Sequence, residues 1–315
     1  MPGIPMSGQG LKGCRAGPGR GGAKERQNKE RQNGRDGPGA GRVCARERSR
    51  ARRSTPYARP AATAMTLPDR PLADETPADL TVMISGGFAL AYAAVLPDFS
   101  RETGLAVRTL SGASQGQGPR TIRHQLAQQG ARVDVVILSS EGLHELTALG
   151  RIAAGSAVEI ATAPLAAAVR TGAPHPDIAT VPALARTLSA ARLVAMPGST
   201  SGLFIRDTVL PRLGLAGTVR ARMFPRGTES TAALAAGEAD LALGPVSELV
   251  DIPGITVIGP LPDAVQLVQT FAAAIVAGAQ AVGPAERLIA HLASDRAAAA
   301  IRRTGMEPVG IRRAG

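Results

Sequence analysis

Five short polar loops hold the residues best placed to do chemistry. They are Ser85-Gly86-Gly87, Ser111-Gly112-Ala113-Ser114-Gln115-Gly116, Ser139-Ser140, Ser199-Thr200-Ser201-Gly202 and Arg226-Gly227-Thr228-Glu229-Ser230. Each pairs hydroxyl side chains with small neighbours, and glycine beside a hydroxyl lets backbone approach a ligand closely. Hydroxyls and free N–H groups at helix starts suit anions. Ser and Thr are also ordinary helix N-caps, and capping is the simpler role for Ser139 and Ser140. The candidate ligand contacts are Ser85, Gly86, Gly87, Ser114, Ser199, Thr200, Ser201, Gly202, Arg226 and Thr228. Arg226 stands out among the arginines because it borders a small-residue loop, whereas Arg120, Arg123 and Arg206 read as solvated helix faces. His124 reads likewise as a surface residue.

Other chemistries lack their residues. Four histidines and two cysteines are spread without metal-ligand spacing. No nucleophile-elbow sequence occurs. Gly112 and Gly116 have the wrong spacing for a dinucleotide fingerprint. No cofactor is expected. Trp is absent, with five Phe and two Tyr in 315 residues, so stacking platforms for single-stranded nucleic acid are excluded.

The net charge of +11 is not a property of the whole chain. Residues 1–64 carry 15 Lys and Arg against 4 Asp and Glu, whereas residues 65–315 carry 21 of each. That first segment has 12 glycines and few branched or aromatic side chains. Such a composition cannot offset the entropy of ordering, so residues 1–77 are expected to form a disordered basic tail with no specific nucleic-acid partner. Arg52-Arg53 is a twin-arginine pair, but Ser54-Thr55-Pro56-Tyr57-Ala58-Arg59-Pro60 follows it in place of an apolar run. Composition turns ordinary at Met65, which suggests a true start there. The chain as written is expected to stay in the cytoplasm. No apolar run is long enough to cross a bilayer, so no membrane insertion is expected.

The elements that must position these loops alternate. Leu80–Ile84 reads as a strand, and Phe88, Ala91, Tyr92, Val95, Leu96 and Phe99 recur at helical spacing up to Gly104. Leu105–Leu110 and Val133–Leu138 read as strands, with helices over 122–129, ended by Gly130, and 141–149. The order repeats: strand 191–196, helix 202–213, strand 220–224, helix 231–236, strand 240–243 and strand 255–258. An apolar run, Val265–Ala277, and two helices near 285–293 and 295–304 close the chain. This βαβ order predicts an α/β fold with a parallel sheet. Ligands of open parallel sheets bind at the carboxyl ends of strands, where all five loops fall.

These residues together resemble the molybdate-binding-protein branch of the type 2 periplasmic (extracellular solute) binding protein family. The resemblance spans about residues 79 to 310. It rests on the opening strand with Ser85-Gly86-Gly87, on Leu96-Pro97-Asp98-Phe99 and Glu102-Thr103-Gly104, and on Ser111-Gly112-Ala113-Ser114 and Val133-Asp134-Val135-Val136. Gly198-Ser199-Thr200-Ser201-Gly202, Ala236-Gly237-Glu238-Ala239-Asp240 and Gly305-Met306-Glu307-Pro308 complete it. The resemblance implies two lobes, one of about 78–160 plus 262–315 and one of about 161–261. It implies crossing strands near Val158–Val169 and Val265–Ala277, and hinge closure on a ligand. It implies a monomer that captures a small anion and serves an ABC-transporter permease from the periplasm. In that branch hydroxyls and N–H groups hold the oxyanion, and Ser85, Ser114 and Ser199–Gly202 match those positions. The family often places a tyrosine after the late strand, where this chain reads Gly244-Pro245-Val246-Ser247. The ligand therefore stays open between a molybdate-like oxyanion and a small organic acid. Sequences of this branch also resemble aconitate isomerase, so an isomerase of a small tricarboxylate is a rival function. A non-catalytic cytoplasmic anion sensor is another.

Overall fold

The computed structural model describes residues 78–128 and 132–309. The tail before residue 78, with both cysteines and Met65, lies outside them, as does Gly130.

Strand β1 (Leu80–Ser85) is buried along its whole length. Its apolar run, LTVMI, fits a strand covered on both faces. Helix α1 (Gly86–Thr103) follows and buries Phe88, Ala91, Tyr92, Val95 and Phe99. Gly104, at φ 71°, ends it and donates its N–H to Ser100 O. Then come β2 (Val107–Gly112), α2 (Ile122–Ala127), β3 (Val135–Ser139) and α3 (Ser140–Ala148). Strand β1 lies parallel to β2, with Leu80 opposite Val107, and parallel to β3, with Val82 opposite Val135. Strands β2 and β3 begin two residues later than hydropathy suggests, which carries Ser111, Gly112 and Ser139 into strand ends.

Strand β4 (Val158–Arg170) has thirteen residues and serves two halves of one sheet. Its first half pairs with β9 (Val268–Ile275), from Val158 opposite Ala273 to Pro164 opposite Val268. Its second half pairs with β7 (Leu241–Pro245) and β8 (Ile255–Pro260), beginning with Leu165 opposite Pro245 and Ala166 opposite Pro260. Strands β5 (Val194–Pro197) and β6 (Ala221–Phe224) extend this side, β5 lying parallel to both β6 and β7. The order is β2-β1-β3-β9-β4-β7-β5-β6, with β8 and the two-residue β10 (Glu307–Pro308) also on β4.

Each half has apolar clusters of its own. On one side Phe88, Phe99 and Phe271 pack with Leu288 and Ile301, while Met83, Ile122 and Leu138 form a second cluster. On the other, Leu165, Leu184, Met196 and Leu243 form one cluster and Phe224, Leu234 and Leu249 another.

Three helical segments and one strand differ most from the sequence expectation. Helix α4 (Val181–Ala190) went unread, although Thr180 caps it by accepting from Ala183 N, with proline in its first turn. The run read as one helix over 202–213 is α5 (Thr200–Phe204), a π turn (Ile205–Val209) and α6 (Leu210–Arg212). Helix α7 (Gly227–Ala235) starts four residues before the expected 231, so Gly227 and Thr228 form its first turn and Arg226 its N-cap position. Strand β9 is shorter than the apolar run, because a 3₁₀ turn (Asp263–Val265) precedes it. Helices α8 (Val282–Leu292) and α9 (Asp295–Arg303) complete the fold.

Candidate functional site

A cavity of about 340 Å³ opens where the strand ends of the two halves meet. Eight of the ten sequence-predicted contacts line it: Ser85, Gly86 and Gly87 after β1, Ser114 after β2, Ser199 and Ser201 after β5, and Arg226 and Thr228 after β6. Thr200 and Gly202 do not. Gly202 packs against Pro197 O, where a Cβ would collide, so its smallness serves the fold. Thr200 is buried and hydrogen-bonds to other loops.

Ser85 is 3% exposed and its Oγ has no hydrogen-bond partner. It sits at the N-cap position of α1, yet its side chain caps nothing. A buried hydroxyl left unpaired costs roughly 1–3 kcal/mol, a cost that nothing among the described residues offsets. Ser114 also lines the cavity, but its Oγ already accepts from Ser139 N at 3.1 Å.

Arg226 is the one cationic residue among the described residues that line the cavity. Its Nε donates to Glu229 Oε1 at 3.2 Å, and the same oxygen accepts from Arg120 Nη1 at 2.7 Å. Arg120 comes from the β2 side and Glu229 from α7, so this pair spans the two halves. Arg123 pairs with Glu145, Arg206 with Asp207, and His124 with Gln128; none lines the cavity. Tyr92 is core, its hydroxyl 3.2 Å from Thr109 Oγ1, and burial pushes its pKa up.

Two lining residues with unpartnered buried side-chain oxygens escaped the sequence reading. Gln269, on β9, is 3% exposed and its Oε1 has no partner. The signal was a lone amide inside the apolar run Val265–Ala277. Glu248 follows β7, one residue beyond the Gly244–Ser247 stretch. It is half-buried, its Oε2 is sealed from solvent without a hydrogen bond, and it is the one acidic residue among the described lining residues. Desolvation pushes its carboxyl up to about 7. The carboxyl lies between the first residues of α1 and α7: a Cβ on Gly86 would stand 2.6 Å from Oε1, and one on Gly227 would collide with Oε2. Glycine at both helix starts is what admits it.

Further hydrogen bonds cross the cleft. Ser139 Oγ and Thr200 Oγ1 are 2.8 Å apart, and Thr200 Oγ1 donates to Gln115 Oε1 at 3.0 Å. Ser247 Oγ donates to Gly87 O at 2.6 Å. Among the described residues no group of three or more His, Cys, Asp or Glu could hold a metal ion, and no helix is long and apolar enough to cross a membrane.

The family model described as bacterial extracellular solute-binding protein matches residues 80–307. A protein named aconitate isomerase, from a Pseudomonas species, is 35% identical over 249 residues, 78% of this chain and 94% of that protein. The periplasmic molybdate-binding protein of Azotobacter vinelandii superposes with a TM-score of 0.58 at 21% identity, over 72% of this chain and 98% of that one. A sulfate-binding protein from Mycobacterium tuberculosis gives a TM-score of 0.58 at 19% identity, over 73% and 86%. These two likenesses establish the fold alone, an α/β fold that the chain shares with those two binding proteins. The chain belongs to the bacterial extracellular solute-binding protein family.

Proposed function

We propose that the cleft captures a small organic acid in its anionic form. The observation that carries this reading is the Ser85 hydroxyl, buried and unpartnered at the N-terminus of an 18-residue helix. Arg226, which lines the same cavity from the start of α7, supplies the positive charge. Two features favour an organic acid over a bare oxyanion. Leu90, Ala93 and Ile252 give the cavity an apolar side that carbon can cover. Glu248, when ionised, repels an oxyanion that holds no proton at neutral pH, whereas a carboxylic acid can share one.

A thermal-shift series on the full chain tests this. The ligands are trans-aconitate, citrate, molybdate, tungstate and sulfate. A carboxylate at about 100 times its Kd should stabilise by roughly 2.7 kcal/mol. A response confined to molybdate and tungstate would overturn the reading.

A second reading builds on the first: the captured acid is an unsaturated tricarboxylate whose double bond is moved. The 35% identical aconitate isomerase, matched over 94% of its length, supports it. In the alternative role of transport receptor the chain works in the periplasm and hands its ligand to an ABC-transporter permease, a role that family membership supports.

A further inference from the structure

We infer that Glu248 is the acid–base group of this cleft, moving a proton between the two ends of an allyl unit in a bound unsaturated acid. This rests on the reading of the cleft as a carboxylate site. The geometry is that of a held reagent. The carboxyl reaches the cavity from the turn after β7, wedged between Gly86 and Gly227, and Oε2 has no hydrogen-bond partner among the described residues. A structural carboxylate would be paired or capped; this one is neither at Oε2.

The step balances without a co-reactant. Ionised Glu248 takes the proton from the saturated carbon next to the C=C bond. The C–H electron pair becomes the new double bond, and the old π pair moves onto the carbon beside the carboxylate as a dienolate. Protonated Glu248 returns the proton there. Charge growing on the substrate carboxylate meets the N-terminus of α1 and the Ser85 hydroxyl. Around the carboxyl stand Gly86 at the start of α1, Gly227 at the start of α7 and Gly244 of β7; Arg226 and Gln269 line the same cavity. Glu248 alone of these changes charge near neutrality, and its position near pH 7 lets one group serve as base and then acid.

The test incubates the full chain in D₂O with trans-aconitate and, separately, cis-aconitate, read by proton NMR. The wild-type chain should interconvert the two and exchange the allylic proton. Glu248→Gln should bind either acid, seen as thermal stabilisation, while turnover and exchange fall at least about 100-fold. Glu248→Asp, which keeps a carboxyl, should retain measurable turnover with a titration near neutrality. Turnover by the Gln variant within tenfold of wild type would overturn the assignment. So would wild-type binding without interconversion or exchange, which leaves capture standing. Absence of binding by every carboxylate would instead sink the capture reading beneath it.

Discussion

At the scale of single residues, Glu248 ties stability to pH. Its folded carboxyl titrates near 7, above the ordinary glutamate value of 4.5. The folded chain therefore keeps a proton that the unfolded chain has lost between those values. The sign follows: stability is greatest below the unfolded value and falls as pH rises towards 7, by up to about 3 kcal/mol. Urea unfolding at pH 5 and pH 8 should show that fall, and Glu248→Gln should flatten its share of it. Anion affinity should weaken over the same range, as the cavity gains a negative charge. Ser85→Ala makes a contrasting prediction. Its hydroxyl bonds nothing among the described residues, so folding stability should hold or rise slightly. Ligand affinity, measured by calorimetry, should fall about tenfold, the worth of one hydrogen bond to a charged group. Equal affinity in the variant would remove Ser85 from the site.

At the scale of elements, much of the site was legible because its loops follow strands whose hydropathy is plain. The run Leu80–Ile84 ends at Ser85, and Phe88 to Phe99 repeats at helical spacing, so Ser85-Gly86-Gly87 had to be a strand-to-helix turn. Helix α7 was harder. Its first turn, Gly227-Thr228-Glu229-Ser230, has no apolar period, and propensity alone reads it as loop. Glu248 was invisible for a different reason. Its importance comes from Gly86 and Gly227, far away in sequence, and no spacing rule links them. Thr200 stands outside the cavity lining although its motif matches that of Ser199 and Ser201, because hydroxyl-plus-glycine motifs look alike whether they meet a ligand or another loop. Its contacts with Ser139 and Gln115 join elements of the two halves. Thr200→Val should cost about 1–2 kcal/mol in chemical denaturation, since it strands the buried Ser139 hydroxyl and the half-buried Gln115 amide. Ligand affinity should drop with it, because the cleft holds together less well.

At the scale of the molecule, strand β4 decides how the chain comes apart. Its residues before Pro164 pair with β9, and those after pair with β7 and β8. Neither half can lose its sheet without unzipping a strand the other uses. Calorimetry should therefore show one transition for the folded region, with van't Hoff and calorimetric enthalpies in agreement. Two resolved transitions would mean that the halves unfold separately. A saturating acid should move the transition upward without splitting it.

The bridge across the cleft mouth has a kinetic consequence. Glu229 answers two guanidiniums, Arg120 from one side and Arg226 from the other, through a single oxygen. One carboxylate cannot neutralise two cations, so this trio keeps a net positive charge. Incoming acids meet that field before they meet the hydroxyls. Their association rate should decline with added salt while dissociation changes little, and Glu229→Gln should speed encounter. If the cleft takes acids as proposed, selection begins in the solvent, several ångströms before contact.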